Sequence, residues 1–279
     1  MPTLDWRGRA AKFRGLHAPG EFLLLGNAWD VGSAVMLARV GYAAVGTTSA
    51  GIAYSRGFPD FGLVSFSEQI SIVRHIVSSV DIPVSFDLEC ASNLDGDDLA
   101  QLIDQVIDAG AIGVNIEDSV AGEMLMRIDP DRQAKRLRTI REAASHRGAS
   151  LFVNARVDSF WCNPSAGDAE FEELTMRAKS YLEAGADCIF APGLIQRDFI
   201  HELVNALKAP VNVLLMPTGP SLEELKALGV RRVSQGSSLV RAAYSEFFCA
   251  AQEVLEGVAL GSTARPPPLS YTQMNRLFI

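Results

Sequence analysis

Acidic side chains close three successive β-type runs of this chain: Asp87 and Glu89 end PVSFDLE, Glu117 and Asp118 end IGVNIED, and Asp158 ends LFVNARVD. Residues i and i+2 of a strand point to one side, so Asp87 and Glu89 share a face. Carboxylates gathered in one place repel unless a cation or a hydrogen-bond network compensates, and an oxygen-only donor set without His or Cys suits Mg2+ or Mn2+. Asp87, Glu89 and Glu117 are therefore the metal-ligating candidates, and Asp118 is expected to cap a helix or pair with an arginine. Arg156 lies two residues before Asp158 in an otherwise apolar run, where a buried guanidinium needs an anionic partner, either a strand-end acid or a substrate carboxylate. An oxo acid bridging the cation and the Arg156 fork would satisfy both demands. In TTSAGIAYSRGFPDFG (47–62), the small residues Ser49, Ala50 and Gly51 allow close approach of backbone amides to an oxyanion. Tyr54, Arg56 and Asp60 follow on a predicted loop that could close over a ligand, with Tyr54 and Asp60 joining Arg156 as catalytic candidates. Asn212, early in VNVLLMP, is a further candidate for a polar contact. Such a site favours enolate chemistry, since carbon-carbon cleavage beside a carbonyl and decarboxylation of a 3-carboxy-2-oxo acid both leave a pyruvate-type enolate.

The elements that must position these groups read as an α/β chain. β-type runs recur at 22–28, 43–49, 83–89, 112–118, 151–158, 188–193, 211–217 and 231–237, each followed by a helical periodicity. Strands of that kind joined by helices imply a parallel sheet covered on both faces, and eight units fit a closed (β/α)8 TIM barrel, in which strand-end residues converge on one rim. An open doubly wound sheet is the alternative, but no GxGxxG follows the first strand and no GxxxxGK[ST] occurs. A helix near Asp5 to Leu16 precedes the barrel. Residues 1–261 read as one barrel domain and 262–279 as a C-terminal oligomerisation tail, because the helix from about Val240 to Glu256 and the terminal Leu277, Phe278 and Ile279 carry more apolar surface than one barrel exterior needs.

Composition removes several classes. With 33 acidic against 25 basic residues and a formal charge of −8, no basic footprint for nucleic acid exists. No stretch approaches the ~20 apolar residues of a membrane span, and the first residues lack a signal-peptide core, so a cytoplasmic location is expected. Cys90, Cys162, Cys188 and Cys249 show no metal or disulfide spacing and are expected to be reduced and mostly packed. His17, His75, His146 and His201 fall on predicted helices or their ends, which argues against a histidine base.

Taken in order and at strand ends, these motifs resemble the isocitrate lyase/phosphoenolpyruvate mutase superfamily, from NAWD at 27–30 to the final helix. TTSAG (47–51) is similar to its substrate-cradling loop, GFPD (57–60) to the loop carrying an active-site Asp, and DLE (87–89) to its metal-side DxD/DxE; NIED (115–118) and NARVD (154–158) complete the pattern. The resemblance implies a barrel whose eighth helix is swapped between paired subunits of a dimer or homotetramer, Mg2+ held chiefly by Asp87 through water-linked Glu89 and Glu117, and Arg156 on the substrate carboxylate. Three departures limit it. The KKCGH or KRCGH loop of the lyases is absent from IEDSVAGEMLMRIDPDRQAK, ECASN replaces a Gly-Tyr-Gly turn, and Ser119 stands where mutases carry Lys. The expectation is an Mg2+-dependent enzyme acting on a small 2-oxo or 2-hydroxy acid, as a carbon-carbon lyase or an oxaloacetate-type decarboxylase or hydrolase. A non-catalytic oxo-acid binder and phosphonopyruvate-type phosphorus-carbon chemistry are the alternatives.

Overall fold

The structure, a computed structural model, describes residues 5–61, 63–88, 93–120, 126–163, 166–259 and 270–276. Eight parallel strands close into a barrel: β1 (Leu23–Ala28), β2 (Val45–Thr47), β3 (Val84–Asp87), β4 (Gly113–Glu117), β7 (Phe152–Arg156), β8 (Cys188–Ala191), β9 (Val211–Leu214) and β10 (Arg232–Ser234). A two-stranded antiparallel excursion, β5 (Ser119–Val120) and β6 (Met126–Arg127), leaves the barrel after β4. The helices are α1 (Trp6–Gly15), α2 (Val31–Val40), α3 (Ser49–Ser55), α4 (Phe66–Ser79), α5 (Gly96–Asp108), α6 (Pro130–His146), α7 (Ser159–Cys162), α8 (Asp168–Glu183), α9 (Arg197–Leu207), α10 (Leu222–Ala227), α11 (Ser238–Leu255) and α12 (Tyr271–Arg276). The expected TIM barrel is thus present. Among the described residues, no helix is long and apolar enough to cross a membrane.

Local chemistry sets the element ends. Asp30 accepts from the Ser33 amide while Ser33 Oγ accepts from the Asp30 amide, a reciprocal cap that starts α2, and Gly41 at φ 107° stops it. The second strand is shorter than the apolar run at 43–49 because Thr48 becomes the N-cap of α3, its Oγ1 accepting from the Gly51 amide. The predicted loop at Tyr54 is therefore helix, and Tyr54 is buried within it at 2% exposure.

The main core lies between the strands and the outer helices, with Ile76, Leu99, Ile103, Leu137, Leu174 and Leu203 among its fully buried members. A second cluster plugs the barrel floor: Ala10 and Phe13 of α1 pack on Leu23, Ile112, Phe152 and Cys188, and the Trp6 indole donates to the Ala111 carbonyl at 3.2 Å. His17 is sealed there between the Phe13 and Phe152 rings, with centroids 4.8 and 4.2 Å away. Burial, with repulsion from Arg232, lowers its pKa from 6.5 to about 3. The unfolded chain therefore binds a proton that the folded chain refuses between these values. The neutral imidazole's contribution is complete above pH 6.5 and declines as pH falls toward 3, by roughly 5 kcal/mol in all. Urea unfolding at several pH values should show this acid limb, and His17→Phe should flatten it.

Candidate active site

Of the carboxylates predicted at strand ends, Asp87, Glu117 and Asp158 gather around Arg156 at one rim. Asp87 ends β3, Glu117 ends β4, and the β4–β7 register sets Glu117 beside Arg156. Asp87 Oδ1 accepts from Asn115 Nδ2 at 2.7 Å and Oδ2 accepts from the Ser49 amide at 3.2 Å, while its own amide donates to Thr47 Oγ1 at 2.9 Å. Asn115 of β4 and the amide at the start of α3 thereby fix the carboxylate, and Thr47 of β2 fixes its backbone. Arg156 donates from Nε to Asp158 Oδ1 at 2.6 Å and places Nη1 3.5 Å from Glu117 Oε2. Its guanidinium also lies over the rings of Trp161 and Phe190, 5.6 and 6.0 Å from their centroids. Burial alone would lower the Arg156 pKa, but the carboxylates of Asp158, Glu117 and Asp87 outweigh it and hold the group firmly charged.

Behind this rim, Asp118 is fully buried and paired with Arg177 (Oδ2 to Nη1, 3.1 Å), and it accepts from the Tyr181 hydroxyl at 2.8 Å and the Asp158 amide at 2.9 Å. Burial and the adjacent Asp158 carboxylate push its pKa up. The expected arginine partnership of Asp118 is what the structure shows. Ser119, in place of the mutase-type Lys, spends its hydroxyl on Asp158 Oδ2.

A cavity of about 230 Å³ opens at the rim and descends into the barrel. Its lining includes Ser49, Ala50, Asp60, Asp87 and Arg156 from the expected set. Gly51 is not among the lining residues: it is packed inside α3, where a Cβ would meet Thr48 Cγ2 at 2.7 Å and Trp29 Cβ at 2.8 Å, so glycine serves helix packing there. Tyr54 and Asn212 are also outside the lining; Asn212 is fully buried and hydrogen-bonded to Ser234 Oγ at 3.0 Å, and Ser234 faces the cavity instead. Glu117 is outside the lining too and meets the site through its contact with Arg156. Glu89, Cys90 and the rest of the ECASN turn lie outside the described residues, as do 121–125 of the altered loop. Among the described residues, no cluster of three His, Cys, Asp or Glu side chains stands ready to hold a metal.

Several lining residues escaped the sequence reading. Thr47, Asn115 and Ser85 are inward-facing alternate positions of β2, β4 and β3, and a period-2 count of polar residues inside those apolar runs would have found them. Trp161 comes from the four-residue α7, too short for any periodicity. Tyr271 comes from α12: its hydroxyl donates to Asp60 Oδ2, Asn275 Oδ1 accepts from the Asp60 amide at 2.8 Å, and its ring meets Trp161 edge-on at 6.4 Å. The described part of the tail therefore sits over the mouth of its own barrel. Burial and the Asp60 carboxylate push the Tyr271 phenol well above its ordinary pKa. Neither Cys188 nor Cys162 offers a nucleophile: burial raises Cys188 to about 12, and burial with Asp158 raises Cys162 to about 11. Cys162 is exposed rather than packed, because α7 ends at the surface.

The family model of phosphoenolpyruvate phosphomutase matches residues 13–255. An uncharacterised protein of Mycobacterium tuberculosis (strain H37Rv) is 35% identical over 248 residues, covering 89% of this chain and 90% of that protein. Oxaloacetate decarboxylase of Pseudomonas entomophila (strain L48) is 28% identical over 251 residues, covering 87% of this chain and 83% of that enzyme. A crystal structure from Burkholderia cenocepacia J2315, provisionally described as a phosphonomutase, superposes with a TM-score of 0.83 at 35% identity, covering 90% of this chain and 99% of that one.

Proposed function

Because the chain belongs to the phosphoenolpyruvate phosphomutase family, we propose that it is an Mg2+-dependent enzyme that converts a small 2-oxo acid through an enolate, with decarboxylation of an oxaloacetate-type 3-carboxy-2-oxo acid as its reaction. The observation that carries this reading is Arg156 at the cavity rim, ringed by Asp158, Glu117 and Asp87. One guanidinium among three carboxylates leaves the rim negative, which fits a divalent cation held by Asp87 and Glu117 together with Glu89. Bound there, Mg2+ or Mn2+ supplies electrophilic polarisation of the substrate's oxo group.

The chain's own residues do the rest. Arg156 spends Nε on Asp158 and keeps further N–H donors for a substrate carboxylate. Asn115 and the Ser49 amide fix the Asp87 carboxylate, so it needs little reorganisation when charge develops. Trp161 and Phe190 flank the guanidinium with apolar surface, which strengthens its hold on an anion by excluding water. In the reaction the C3–C4 bond breaks, carbon dioxide leaves, and the electron pair stays on C3 as the enolate of pyruvate; a proton taken at C3 completes the product. Lysis of a 2-hydroxy acid of the methylisocitrate type needs in addition a group that removes the hydroxyl proton. The loop from Ser119 carries no thiol or imidazole, and both His17 and Cys188 are sealed in the floor.

Pyruvate release measured with Mg2+ against an enzyme-free blank should therefore favour oxaloacetate over 2-methylisocitrate by about 10²-fold or more, the worth of a positioned proton-transfer group. Turnover of 2-methylisocitrate near ~10 s⁻¹ would overturn this reading. No pyruvate from any oxo acid, with binding retained, would favour the non-catalytic alternative. The proposal includes a homo-oligomer, dimer or tetramer. Helix α11 leaves Phe247 at 74% and Leu255 at 90% exposure, with Phe248 and Val254 beside them, a face that a second copy would cover. Sedimentation at micromolar concentration should show at least a dimer.

A further inference from the structure

Among the described residues, the buried or rim arginines Arg156, Arg177 and Arg136 are matched by carboxylates, whereas Arg232 is not. Arg156 has Asp158 and Glu117, Arg177 has Asp118 and Glu173, and Arg136 has Asp95 at 3.7 Å. Arg232 is 3% exposed, donates from Nε to Ser234 Oγ at 3.3 Å, and has a buried Nη1 with no hydrogen-bond partner. Among the described residues it forms no ion pair. A buried cation with an unmet donor is expensive to keep. Burial draws its pKa down to about 10, with Cys188 and Asp87 opposing the fall, so it stays charged at neutral pH.

Its place in the barrel says what the charge faces. The register runs from Arg156 to Phe190 to Asn212 to Arg232, and the tilt of barrel strands carries such a row along the axis. The neighbouring row runs from Asp87 at the rim to Cys188 in the floor plug, which fixes the sense of the descent. Arg232 thus lies deeper than Arg156, yet it lines the same cavity, beside Ser85, Asn27 and Ser234. Gly46, also in the lining, makes room for its neighbours there: a Cβ would come within 2.9 Å of Leu25 Cδ2 and 3.1 Å of Asn27 Nδ2.

We infer that Arg232 is a specificity-determining residue that binds the second anionic group of a dianionic substrate at the bottom of the cavity while Arg156 holds the other end. This rests on the oxo-acid reading and names the residue that selects diacids within it: a monocarboxylate leaves Nη1 unmet, whereas a dianion meets it. The two guanidiniums, one at each depth, then select for charge number as well as chain length.

The test is calorimetric binding, with Mg2+ present, of malate as a stable dianion and pyruvate as a monoanion to wild type, Arg232→Met and Arg232→Lys. Arg232→Met should weaken malate by about 30-fold or more, the cost of truncating one partner of a buried charge pair, and leave pyruvate within about threefold. Arg232→Lys should recover part of the malate affinity. The melting temperature of ligand-free Arg232→Met should be equal to or above wild type, because an unmet buried cation has been removed; a large fall, or failure to fold, would assign Arg232 to the scaffold and overturn the proposal. Equal effects on both acids, or none on either, would overturn it while leaving the oxo-acid reading intact. Wild type that binds neither acid would overturn both.

Discussion

Asp87→Ala is expected to lower kcat/KM on an oxaloacetate-type acid by about 10²- to 10³-fold, the usual consequence of deleting one preorganised electrostatic group, and to loosen Mg2+ binding measured with the oxo acid present. The reason is placement. Asp87 is the rim carboxylate held by groups from two neighbouring parts of the barrel, Asn115 of β4 and the Ser49 amide at the start of α3. Its removal takes away a negative charge already oriented toward the cavity and frees those two donors. Asp87→Asn separates these effects, since it keeps the size and loses only the charge. A metal role predicts that both variants lose Mg2+ affinity; a purely structural role predicts that only Ala does harm. Unchanged Mg2+ affinity in both would refute the metal assignment.

Arg156→Ala should do damage of two kinds. It leaves Asp158, which has no exposed surface, and Glu117 without their cation, and breaking a buried pair from one side costs about 3–5 kcal/mol of stability. It also deletes the fork proposed to hold the substrate carboxylate. Arg156→Lys keeps the charge near Asp158 and Glu117 but cannot reproduce the planar geometry or the stacking on Trp161 and Phe190. Urea unfolding should therefore place Lys much closer to wild type than Ala, whereas KM for the oxo acid should rise in both, by about tenfold or more for Lys given the worth of a hydrogen bond to a charged group. If Lys restores KM together with stability, Arg156 serves the scaffold alone.

The parts of this molecule legible in its sequence are those governed by period and strand end. Eight β-type runs separated by helices specify a closed barrel, and closure alone brings Asp87, Glu117 and Arg156 to one rim from positions up to 69 residues apart. Asp118 was readable as a helix cap or an arginine partner, and the structure shows the second. What stayed hidden depends on contacts rather than pattern. Thr48 could be a loop residue or a cap, and only its bond to the Gly51 amide makes Tyr54 helical and buried. Asn212 and Ser234 alternate inward on adjacent strands, and which of them faces the cavity is decided by the register between β9 and β10. Arg232 follows directly on Arg231, and nothing in the pair itself marks which of them points inward; the interior position of Arg232 follows from the pleat. Tyr271 is 211 residues from the aspartate it meets, beyond the reach of any local pattern.

The barrel is stoppered differently at its two ends. At the floor, α1 is wedged by Phe13 into an apolar plug and stitched by Trp6 to Ala111; at the mouth, α12 rests on Asp60 through one phenol and one amide. Fusion partners attached to the two termini should therefore be felt unequally. A purification handle ahead of α1 meets the sealed side, remote from the rim carboxylates, whereas one placed after Ile279 hangs from the short helix that borders the cavity. Assays of this protein should carry their handles at the amino end, and a difference in KM between the two tagging schemes would itself report how firmly α12 sits.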